Sequence, residues 1–487
     1  MKSNNANELI GKFRDLARFD RKVRRLVVNG FFQPGREILI NRTPGRLDLM
    51  GGNDDYTGGL VFETTIREAT LVALQGRDDR LVRFNNPAVK ALGWSDQVEF
   101  TLDDLLIGRK VKPLEEMRAW INQDTRRSWC AYILGDLYFL LKEFPTRVSH
   151  GFDLYLESDV PLGKGVSSSA ALEVAPMKVM AELYGVPVAG VKLAEWTQWV
   201  EIALTQSACG IMDQLAVVLG DEDHFVPMLC QPCLPRPLVK LPGSLQIWGV
   251  DSGVRHSVAG IEYEAARAAT FMGYRWLCEF EQLTPRLDES GALPRWVEPK
   301  WNGYLANLSP SLFHGQYERR LPEQERGSDF MRRFSDHLDP FTPVRPRVTY
   351  PVRAATRYAV EENWRVHTFF SLLSKPERMI DTTTGHLLGE LMYQSHVGYS
   401  ECGLGSAATD KIVELVVLEQ PNGLLGAKIT GGGAGGTVAI LGWNTSKATK
   451  AFKRVVESYA RWSNHLPYIF QGSSTGCDQF GILRNSY

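Results

Sequence analysis

Alternation of hydrophobic and polar residues predicts a series of strands along the chain. In residues 152–157, Phe152, Leu154 and Leu156 alternate with more polar neighbours, as in a strand with one buried face. Similar patterns predict further strands at residues 38–40, 60–66, 70–74, 81–84, 98–102 and 245–250.

A period near 3.6 residues predicts helices among these strands. The stretch 191–204 places Leu193, Thr197, Glu201 and Leu204 on one stripe. A carboxylate on a mostly apolar stripe costs free energy unless it is paired or holds a cation, although a glutamate at the stripe's edge can reach solvent instead. Other helices are predicted at residues 9–26, 129–144, 360–373 and 385–393.

The composition is that of a globular protein with two domains. The chain has 487 residues, of which 44% are hydrophobic and 23% are charged. Its net charge of -1 gives no bulk attraction to nucleic acid or to an anionic membrane. It contains neither an apolar run of ~20 residues nor a hydrophobic signal core at the N-terminus, so we expect a cytoplasmic protein with no membrane partner.

Seven cysteines are scattered along the chain. Cys230 and Cys233 form a lone Cys-x-x-Cys pair without the second pair that a zinc site needs. We therefore expect reduced thiols in a reducing compartment.

A polar, glycine-rich segment at residues 41–59 follows the first predicted strand and reads NRTPGRLDLMGGNDDYTGG. Two glycine turns bracket an arginine and paired aspartates, which is typical of a binding loop on a rigid sheet. A polar hairpin with turn-forming aspartates and glycines is the structural alternative.

A second motif, PLGKGVSSSAA at residues 161–171, joins a strand to a helix. Gly163 and Gly165 allow a tight turn, and the serines at 167–169 are good helix caps. The free N–H groups at the start of such a helix bind anions such as phosphate. The spacing matches neither a Walker loop nor a dinucleotide fingerprint, and an ordinary capped helix is the structural alternative.

A third motif, KITGGGAGGTVAIL at residues 428–441, contains Gly431, Gly433 and Gly436 in G-x-G-x-x-G spacing. A Rossmann turn must open a helix, whereas residues 437–441 have the pattern of a strand, so we discount a nicotinamide site. Two strands joined by a glycine turn are predicted instead, supporting a ligand or a close backbone crossing.

The proline-rich segment 226–242 reads as a crossing between two halves. We therefore expect an N-terminal domain at residues 1–225 and a C-terminal domain at residues 226–487. Weak periodicity in residues 285–351, which are rich in Pro, Arg and Trp, predicts an irregular excursion on the second domain.

Together, the three motifs resemble those of the GHMP kinases, the superfamily of galactokinase, homoserine kinase, mevalonate kinase and phosphomevalonate kinase. Residues 41–59 are similar to the substrate loop of galactokinases, 161–171 to the phosphate loop, and 428–441 to the C-terminal glycine motif. The chain resembles the kinase domain of plant L-arabinokinases more closely still. That resemblance also includes CGIMDQ at 209–214, WGVDSGVRHSV at 248–258, MYQSH at 392–396 and CGLGS at 402–406.

The resemblance implies a two-domain α/β (α+β) kinase with its active site in the cleft between the domains. Such an enzyme uses ATP and Mg²⁺ to phosphorylate the anomeric hydroxyl of a sugar, with L-arabinose favoured and galactose as the alternative. Small molecules are then its implied partners, while no nucleic acid is implied and the oligomeric state is left open.

The resemblance also implies a role for each matching residue. Asp213 would act as catalytic base or orient the anomeric hydroxyl, while Arg46 would neutralise charge on the transferring phosphoryl group and keep Asp213 ionised. Ser169, or its neighbour Ser168, and Glu201 would serve Mg²⁺. The other implied contacts are Gly163, Gly165, Ser167, Ser168, Ser169, Gly432, Gly433 and Gly435 for ATP, and Asp55, Gly52, Asn53 and Tyr263 for the sugar.

One departure from the galactokinase pattern bears on the substrate. Where galactokinases have a Glu-His pair that grips the sugar's 6-hydroxyl, this chain has Gly52 and Asn53. L-Arabinose has a galactose-like configuration without that hydroxyl, and a buried acid left without its partner costs ~1–3 kcal/mol or more. The departure favours a pentose, and Gly52→Glu is expected to narrow the preference.

Two other classes of function match parts of the pattern. Relatives of galactokinase include catalytically silent sugar-binding regulators, but the retained Arg46, Asp213 and Glu201 argue against that class. A nicotinamide oxidoreductase rests only on the glycine spacing at 431–436.

Overall fold

Strands dominate the early part of the chain and helices the later part. The computed structural model describes residues 10–124, 129–254, 260–374 and 380–487. Its main strands are β1 (Glu37–Met50), β2 (Leu60–Gly76), β3 (Leu81–Asn85), β4 (Gln97–Thr101), β5 (Phe152–Ser158), β6 (His224–Leu229), β7 (Leu234–Pro235), β8 (Val239–Lys240), β9 (Leu245–Asp251), β10 (Leu424–Ile429), β11 (Thr437–Trp443), β12 (Ile469–Gln471) and β13 (Leu483–Ser486). Its main helices are α1 (Arg14–Val28), α2 (Leu114–Asn122), α3 (Ala131–Glu143), α4 (Ser168–Leu183), α5 (Gly190–Thr205), α6 (Met212–Leu219), α7 (Ile261–Phe280), α8 (Gly327–Arg333), α9 (Val352–Leu373), α10 (Thr382–Glu401), α11 (Ala407–Leu418), α12 (Ser446–Ser463) and α13 (Cys477–Phe480).

Within the described ranges, the larger sheet has nine strands built around the hairpin of β1 and β2. Its main path runs β8-β6-β2-β5-β3-β4, while β1 pairs with both β2 and β13, and β7 pairs with β6. The pairs are antiparallel except for β3 with β5. The larger sheet carries the first predicted binding segment along its centre.

The structure corrects the predicted extent of that segment. Residues 41–50 are not a loop but the second part of β1, paired with β2 up to Met50. Polar residues made this stretch look exposed, yet Arg46 and Asp48 are fully buried within it. In this part of β1, polar residues held in buried ion pairs stand where apolar residues are expected. The alternation of apolar and polar residues that identifies a strand in a sequence is therefore absent.

The proline-rich segment 226–242 is also not the simple crossing that the sequence suggests. It contains most of β6 and all of β7 and β8, which extend the larger sheet. Proline fits a strand wherever the ladder does not need its missing N–H. The domain boundary at residue 226 stays a prediction, since strands from both sides of it join the larger sheet.

The smaller sheet has the antiparallel order β10-β11-β9-β12. A glycine-rich turn joins β10 to β11, which confirms the strand–turn–strand prediction for residues 428–441. Residues 285–351 form only short elements, as predicted, and pack a core against α7.

An apolar core connects the two halves of the chain. It contains Leu49 and Phe62 from the larger sheet together with Phe369 of α9 and Leu441 of β11. Because apolar side chains from both halves are buried against one another, the hydrophobic effect holds the halves together. The seven cysteines are buried and form no disulfide. Within the part of the chain that the structure describes, no helix is both long enough and apolar enough to cross a membrane.

Candidate active site

A cavity of about 570 Å³ lies where the two halves meet. Tyr263 and Gly432 contribute to its wall from the second half, and the other lining residues come from the first half. Its polar wall includes Arg46, Asn53, Asp55, Ser167, Ser168, Ser169, Glu201 and Asp213.

An ion pair between Arg46 and Asp213 stands in the wall of this cavity. Arg46 is on β1, and Asp213 is in the first turn of α6. Both Nε and Nη2 of Arg46 donate to Oδ1 of Asp213, at 3.0 and 2.6 Å. The arginine side chain is 2% exposed and the aspartate side chain 20%, so the carboxylate is the member of the pair that a ligand can reach.

Surrounding groups keep Arg46 charged and fixed in place. Burial by itself disfavours its charge, but neighbouring carboxylates, that of Asp213 above all and also that of Asp48, raise its pKa above the usual value. Its Nη1 donates to the carbonyl oxygen of Gly165 at 2.7 Å. The arginine therefore joins the predicted phosphate loop to Asp213.

The loop at residues 161–167 has the backbone expected of an anion site. Gly163 and Gly165 both adopt a φ of 68°, in the left-handed region. Helix α4 begins at Ser168, so its first N–H groups lie at the cavity. Ser167 occupies the N-cap position, as predicted, but its side chain makes no capping bond. Among the described residues, none forms a hydrogen bond with its buried Oγ.

Glu201 on α5 is the carboxylate that the sequence placed on an apolar stripe. It is 2% exposed, and its Oε2 accepts from Nε2 of Gln214 at 2.6 Å. Burial, followed by the charge of Asp213, raises its pKa to about 7, although hydrogen bonds from Ser169, Cys209 and Gln214 act in the opposite direction. Glu201 thus lies inside the protein at the cavity wall and not at an exposed stripe edge.

Ser169 and Glu201 form a donor set that fits Mg²⁺. Both line the cavity, and each offers the hard oxygen that this cation prefers. Over the described ranges, no three or more His, Cys, Asp or Glu residues come together as a metal site. That is compatible with Mg²⁺, which is usually held by one or two carboxylates and completed by substrate phosphates and water.

Asp55 lies at the cavity close to Asp213. Burial and the negative charge of Asp213 raise its pKa to about 6, against hydrogen bonds from the backbone N–H groups of Met212 and Tyr56. A Cβ at Gly210 would lie 1.6 Å from Oδ2 of Asp55, so only glycine allows this approach. Nearby Asn53 is 4% exposed and its Nδ2 has no hydrogen-bond partner, leaving a donor for a ligand.

Gly52 does not face the cavity, contrary to its predicted sugar contact. A Cβ at this position would lie 1.9 Å from the Tyr399 hydroxyl oxygen and 2.2 Å from Oδ2 of Asp48. Its carbonyl oxygen accepts from the Tyr358 hydroxyl at 2.7 Å. Gly52→Glu would therefore disrupt the packing behind the loop, and the expectation that it supplies a sugar-binding carboxylate is withdrawn.

Tyr263 lines the cavity, as predicted, and is held by groups that the sequence did not reveal. Its hydroxyl donates to the carbonyl oxygen of Ala208 at 2.9 Å, and Nη1 of Arg267 donates to the same oxygen at 3.1 Å. Arg267 is in turn paired with Asp339, through two bonds of 2.8 and 3.0 Å.

The glycines of the third motif have unequal positions. Gly432 lines the cavity, which fits its predicted ATP contact. Gly433 and Gly435 do not line it: a Cβ at Gly433 would meet Leu404, and one at Gly435 would meet Val254. These two glycines allow close packing beside the site.

An apolar part of the wall was missed by the sequence analysis. It is formed by side chains from several separate elements, so no local motif marks it. Trp129 is fixed there by a hydrogen bond of 2.7 Å from its Nε1 to the carbonyl oxygen of Ser95. Other apolar lining residues include Ala88, Val89, Leu92, Trp94, Leu156, Val160, Leu162 and Leu172.

Sequence comparisons match three regions of the chain to described families. Residues 31–75 match the galactokinase galactose-binding signature, residues 131–221 the N-terminal domain of GHMP kinases, and residues 380–461 the C-terminal domain of GHMP kinases. Each of the three predicted motifs lies within or next to one of these regions.

Two curated relatives cover most of the chain. This chain is 35% identical to L-arabinokinase of Arabidopsis thaliana over 94% of the chain's own length. It spans only 48% of the length of that protein, about half. It is 31% identical to galactokinase of Chloroflexus aggregans, covering 82% of this chain and 83% of that protein.

Solved structures share the fold. Lactococcus lactis galactokinase complexed with galactose matches with a TM-score of 0.70 at 20% identity, covering 96% of this chain and 100% of that one. Methanococcus jannaschii mevalonate kinase matches with a TM-score of 0.52 at 14% identity, covering 90% and 98%. From these relationships and the motifs, the chain belongs to the GHMP kinase family, on its galactokinase-like branch.

Proposed function

We propose that this protein is an ATP-dependent sugar 1-kinase with L-arabinose as its favoured substrate. The Arg46–Asp213 ion pair carries the proposal, because it places a fixed cation and a reachable carboxylate beside a phosphate-type loop. The relationship to L-arabinokinase and galactokinases supports the same class of reaction.

The cavity offers suitable surroundings for each part of ATP. Its apolar wall, with Trp94 and Trp129, suits the base. The start of α4 and the buried Oγ of Ser167 offer hydrogen bonds to phosphate oxygens. Mg²⁺ bound by Ser169 and Glu201 would neutralise phosphate charge.

In the proposed reaction, Asp213 receives or orients the proton of the anomeric hydroxyl. Arg46 occupies Oδ1 of Asp213, so we assign Oδ2 to the sugar. The hydroxyl oxygen forms a bond to the terminal phosphorus of ATP as the bond from that phosphorus to the bridging oxygen breaks and ADP leaves. Arg46 stabilises the negative charge on the transferring group, and positioning supplies much of the remaining acceleration.

Asp55, Asn53 and Tyr263 are the side chains that we assign to the ring hydroxyls, since all three line the cavity beside Asp213. The preference for L-arabinose is supported by the 35% identity to L-arabinokinase over 94% of this chain. At position 52, Tyr399 and Asp48 occupy the space that a side chain would need, so the acid found in galactokinases has no counterpart at that position. The bare Nδ2 of Asn53 favours galactose as a second candidate, because it could donate to an added hydroxyl.

A panel of sugars with coupled detection of ADP tests this function. We expect kcat/KM for L-arabinose to exceed that for D-galactose by roughly ten- to a hundredfold, the value of one hydrogen bond to a charged group. Equal or higher kcat/KM for galactose would transfer the assignment to galactokinase. Sugar binding without ADP release would identify a silent sugar-binding regulator, and Asp213→Asn provides the inactive control.

A cytoplasmic location completes the proposal. Its support is the seven buried cysteines that form no disulfide, which suit a reducing compartment where ATP is available.

A further inference from the structure

Glu63 of β2 is a buried carboxyl group to which the proposed reaction gives no role. It stands opposite Asp48 in the β1–β2 ladder, and Arg46 stands opposite Thr65 in the same uninterrupted register. Because side chains two residues apart share a face, Arg46, Asp48 and Glu63 point to the same side of the sheet. Oε2 of Glu63 lies 3.2 Å from Nε of Arg46.

The charges around Glu63 balance without it. Arg46 is paired with Asp213, and Nζ of Lys428 is paired with Oδ2 of Asp48 at 2.6 Å. An ionised Glu63 would add one uncompensated negative charge directly opposite another carboxylate, which is unfavourable in a strand pair. The titratable groups that face Glu63 are Asp48 and Arg46 of β1, Asp213 of α6, Lys428 of β10, Tyr399 of α10 and Cys230 after β6.

Two further features favour the neutral form of Glu63. Burial, followed by the charge of Asp48, raises the pKa of Glu63 well above its usual value, although Arg46 and Lys428 act in the opposite direction. Among the residues that the structure describes, none forms a hydrogen bond with either of its carboxyl oxygens, although the side chain is 0% exposed. Such a site is much more costly for a carboxylate than for a carboxylic acid.

We propose that Glu63 is a positioning residue for Arg46, acting as a neutral acid. Its carboxyl group packs against the guanidinium and keeps it aligned with Asp213 and the carbonyl oxygen of Gly165. As a neutral group, it does so without competing for the positive charge that Arg46 directs at the transferring phosphoryl group. This inference rests on the proposed function, because it assumes that role for Arg46.

Two substitutions at one position separate shape from charge. Glu63→Gln keeps the shape and stays uncharged, so kcat should remain within about threefold of the unmodified enzyme. Glu63→Met keeps the approximate volume but removes the polar atoms, so kcat should fall roughly tenfold or more while KM for sugar and for ATP stays within about threefold. A general packing defect would not spare the glutamine variant. It would also not lower kcat while leaving both KM values unchanged.

A double-mutant cycle with Arg46→Lys tests whether Glu63 acts through the arginine. Lysine keeps the charge of Arg46 but lacks its planar fork, so Arg46→Lys should itself lower kcat. If Glu63 positions that fork, adding Glu63→Met to Arg46→Lys should cause no further loss. All four proteins are assayed for kcat, both KM values and thermal unfolding, with L-arabinose and D-galactose as sugars.

The outcomes distinguish the two proposals. An unchanged kcat in Arg46→Lys would overturn the role of Arg46 and this inference with it. A loss in Arg46→Lys, with an undiminished additional loss in the double variant, would overturn only the role of Glu63. An unchanged kcat in Glu63→Met would also overturn it, as would a loss in Glu63→Gln as large as that in Glu63→Met. If Glu63→Met fails to fold, Glu63→Gln tests the proposal by itself. A retained kcat supports Glu63 as a neutral acid, and a tenfold loss of kcat overturns that role.

Discussion

Replacing Asp55 with asparagine should stabilise the ligand-free protein at neutral pH and weaken its binding of sugar. The carboxyl group is buried beside Asp213, and its pKa of about 6 lies above the reference value of 3.8. The folded protein therefore binds this proton more tightly than the unfolded chain does. The free energy of unfolding that this proton contributes is present below about pH 4 and is lost as pH rises from about 4 to above 6.

The size of this effect follows from the pKa shift. A shift of about two units corresponds to ~3 kcal/mol once Asp55 is fully ionised, near pH 7.5, and to about half of that at pH 5. Asparagine does not titrate, but it loses one acceptor for the backbone N–H of Met212, a cost of ~1 kcal/mol at either pH. The variant should therefore be more stable by about 2 kcal/mol at pH 7.5 and by about 0.5 kcal/mol at pH 5.

Urea unfolding of ligand-free protein, followed by tryptophan fluorescence at pH 5 and pH 7.5, measures this difference. Asp54→Asn is a matched control, because Asp54 is also fully buried with a raised pKa but does not line the cavity. For both variants, the stability advantage over the unmodified protein should grow as pH rises. Only Asp55→Asn should raise KM for sugar, by about tenfold or more. A pH-independent stability difference for Asp55→Asn would refute the raised pKa, and an unchanged KM would remove Asp55 from the sugar site.

Three further changes test other parts of the site and its surroundings. Asp213→Asn should lower kcat by ~10²-fold or more while nucleotide titration shows ATP still bound, and substantial residual turnover would exclude Asp213 from the chemistry. Glu201→Gln should raise the Mg²⁺ concentration required for half-maximal activity, because an amide is a poorer ligand, and an unchanged requirement would make Glu201 structural. Asp136→Leu should stabilise the protein by ~1–3 kcal/mol at pH 8 and by less at pH 5, since burial raises the pKa of this carboxyl group against a backbone hydrogen bond with Met177. Urea unfolding that shows a loss of stability at both pH values would contradict this.

Local patterns in the sequence predicted helices and strands where their periodicity survives in the folded structure. Helix α5, for example, spans Gly190–Thr205 around the predicted stretch 191–204. The second part of β1 was missed for a physical reason. Its polar residues are buried by ion pairs with β10 and α6, partners that lie more than 160 residues away in the chain.

The candidate site was predictable to the extent that its residues belong to contiguous motifs. Arg46, Asp55, Ser169, Glu201 and Asp213 all line one cavity. The apolar wall was not predictable in this way, because its tryptophans come from different elements and either would be read as ordinary core.

Gly52 shows a second limit of predicting the site from sequence motifs, because a motif does not reveal the direction of a side chain. Comparison with galactokinases identified the missing acid but not the direction of a side chain at Gly52. A side chain there would meet Tyr399, which belongs to a helix distant in the sequence. Motif positions therefore predict which residues are near a site more reliably than which of them face the ligand.

Residues 285–351 had no role in the sequence analysis, and their contacts now give them one. Asp339 fixes Arg267, which bonds the carbonyl oxygen of Ala208 just before the turn that receives Asp55. From the same segment, Tyr304 packs against Gly58 and the N–H of Ala306 donates to the carbonyl oxygen of Thr57. The excursion thus contacts the loop that carries Asp55 directly, and it acts on the segment leading to Asp213 through Arg267 of α7.

These contacts also account for the excursion's irregular form. A segment that must follow the surface of a loop and a turn at the same time cannot keep the period of one regular layer. Catalysis by positioning loses about two orders of magnitude when a reacting group moves by ~1 Å. The many short elements of this region are therefore better explained as support for the sugar side of the cavity than as an independent unit.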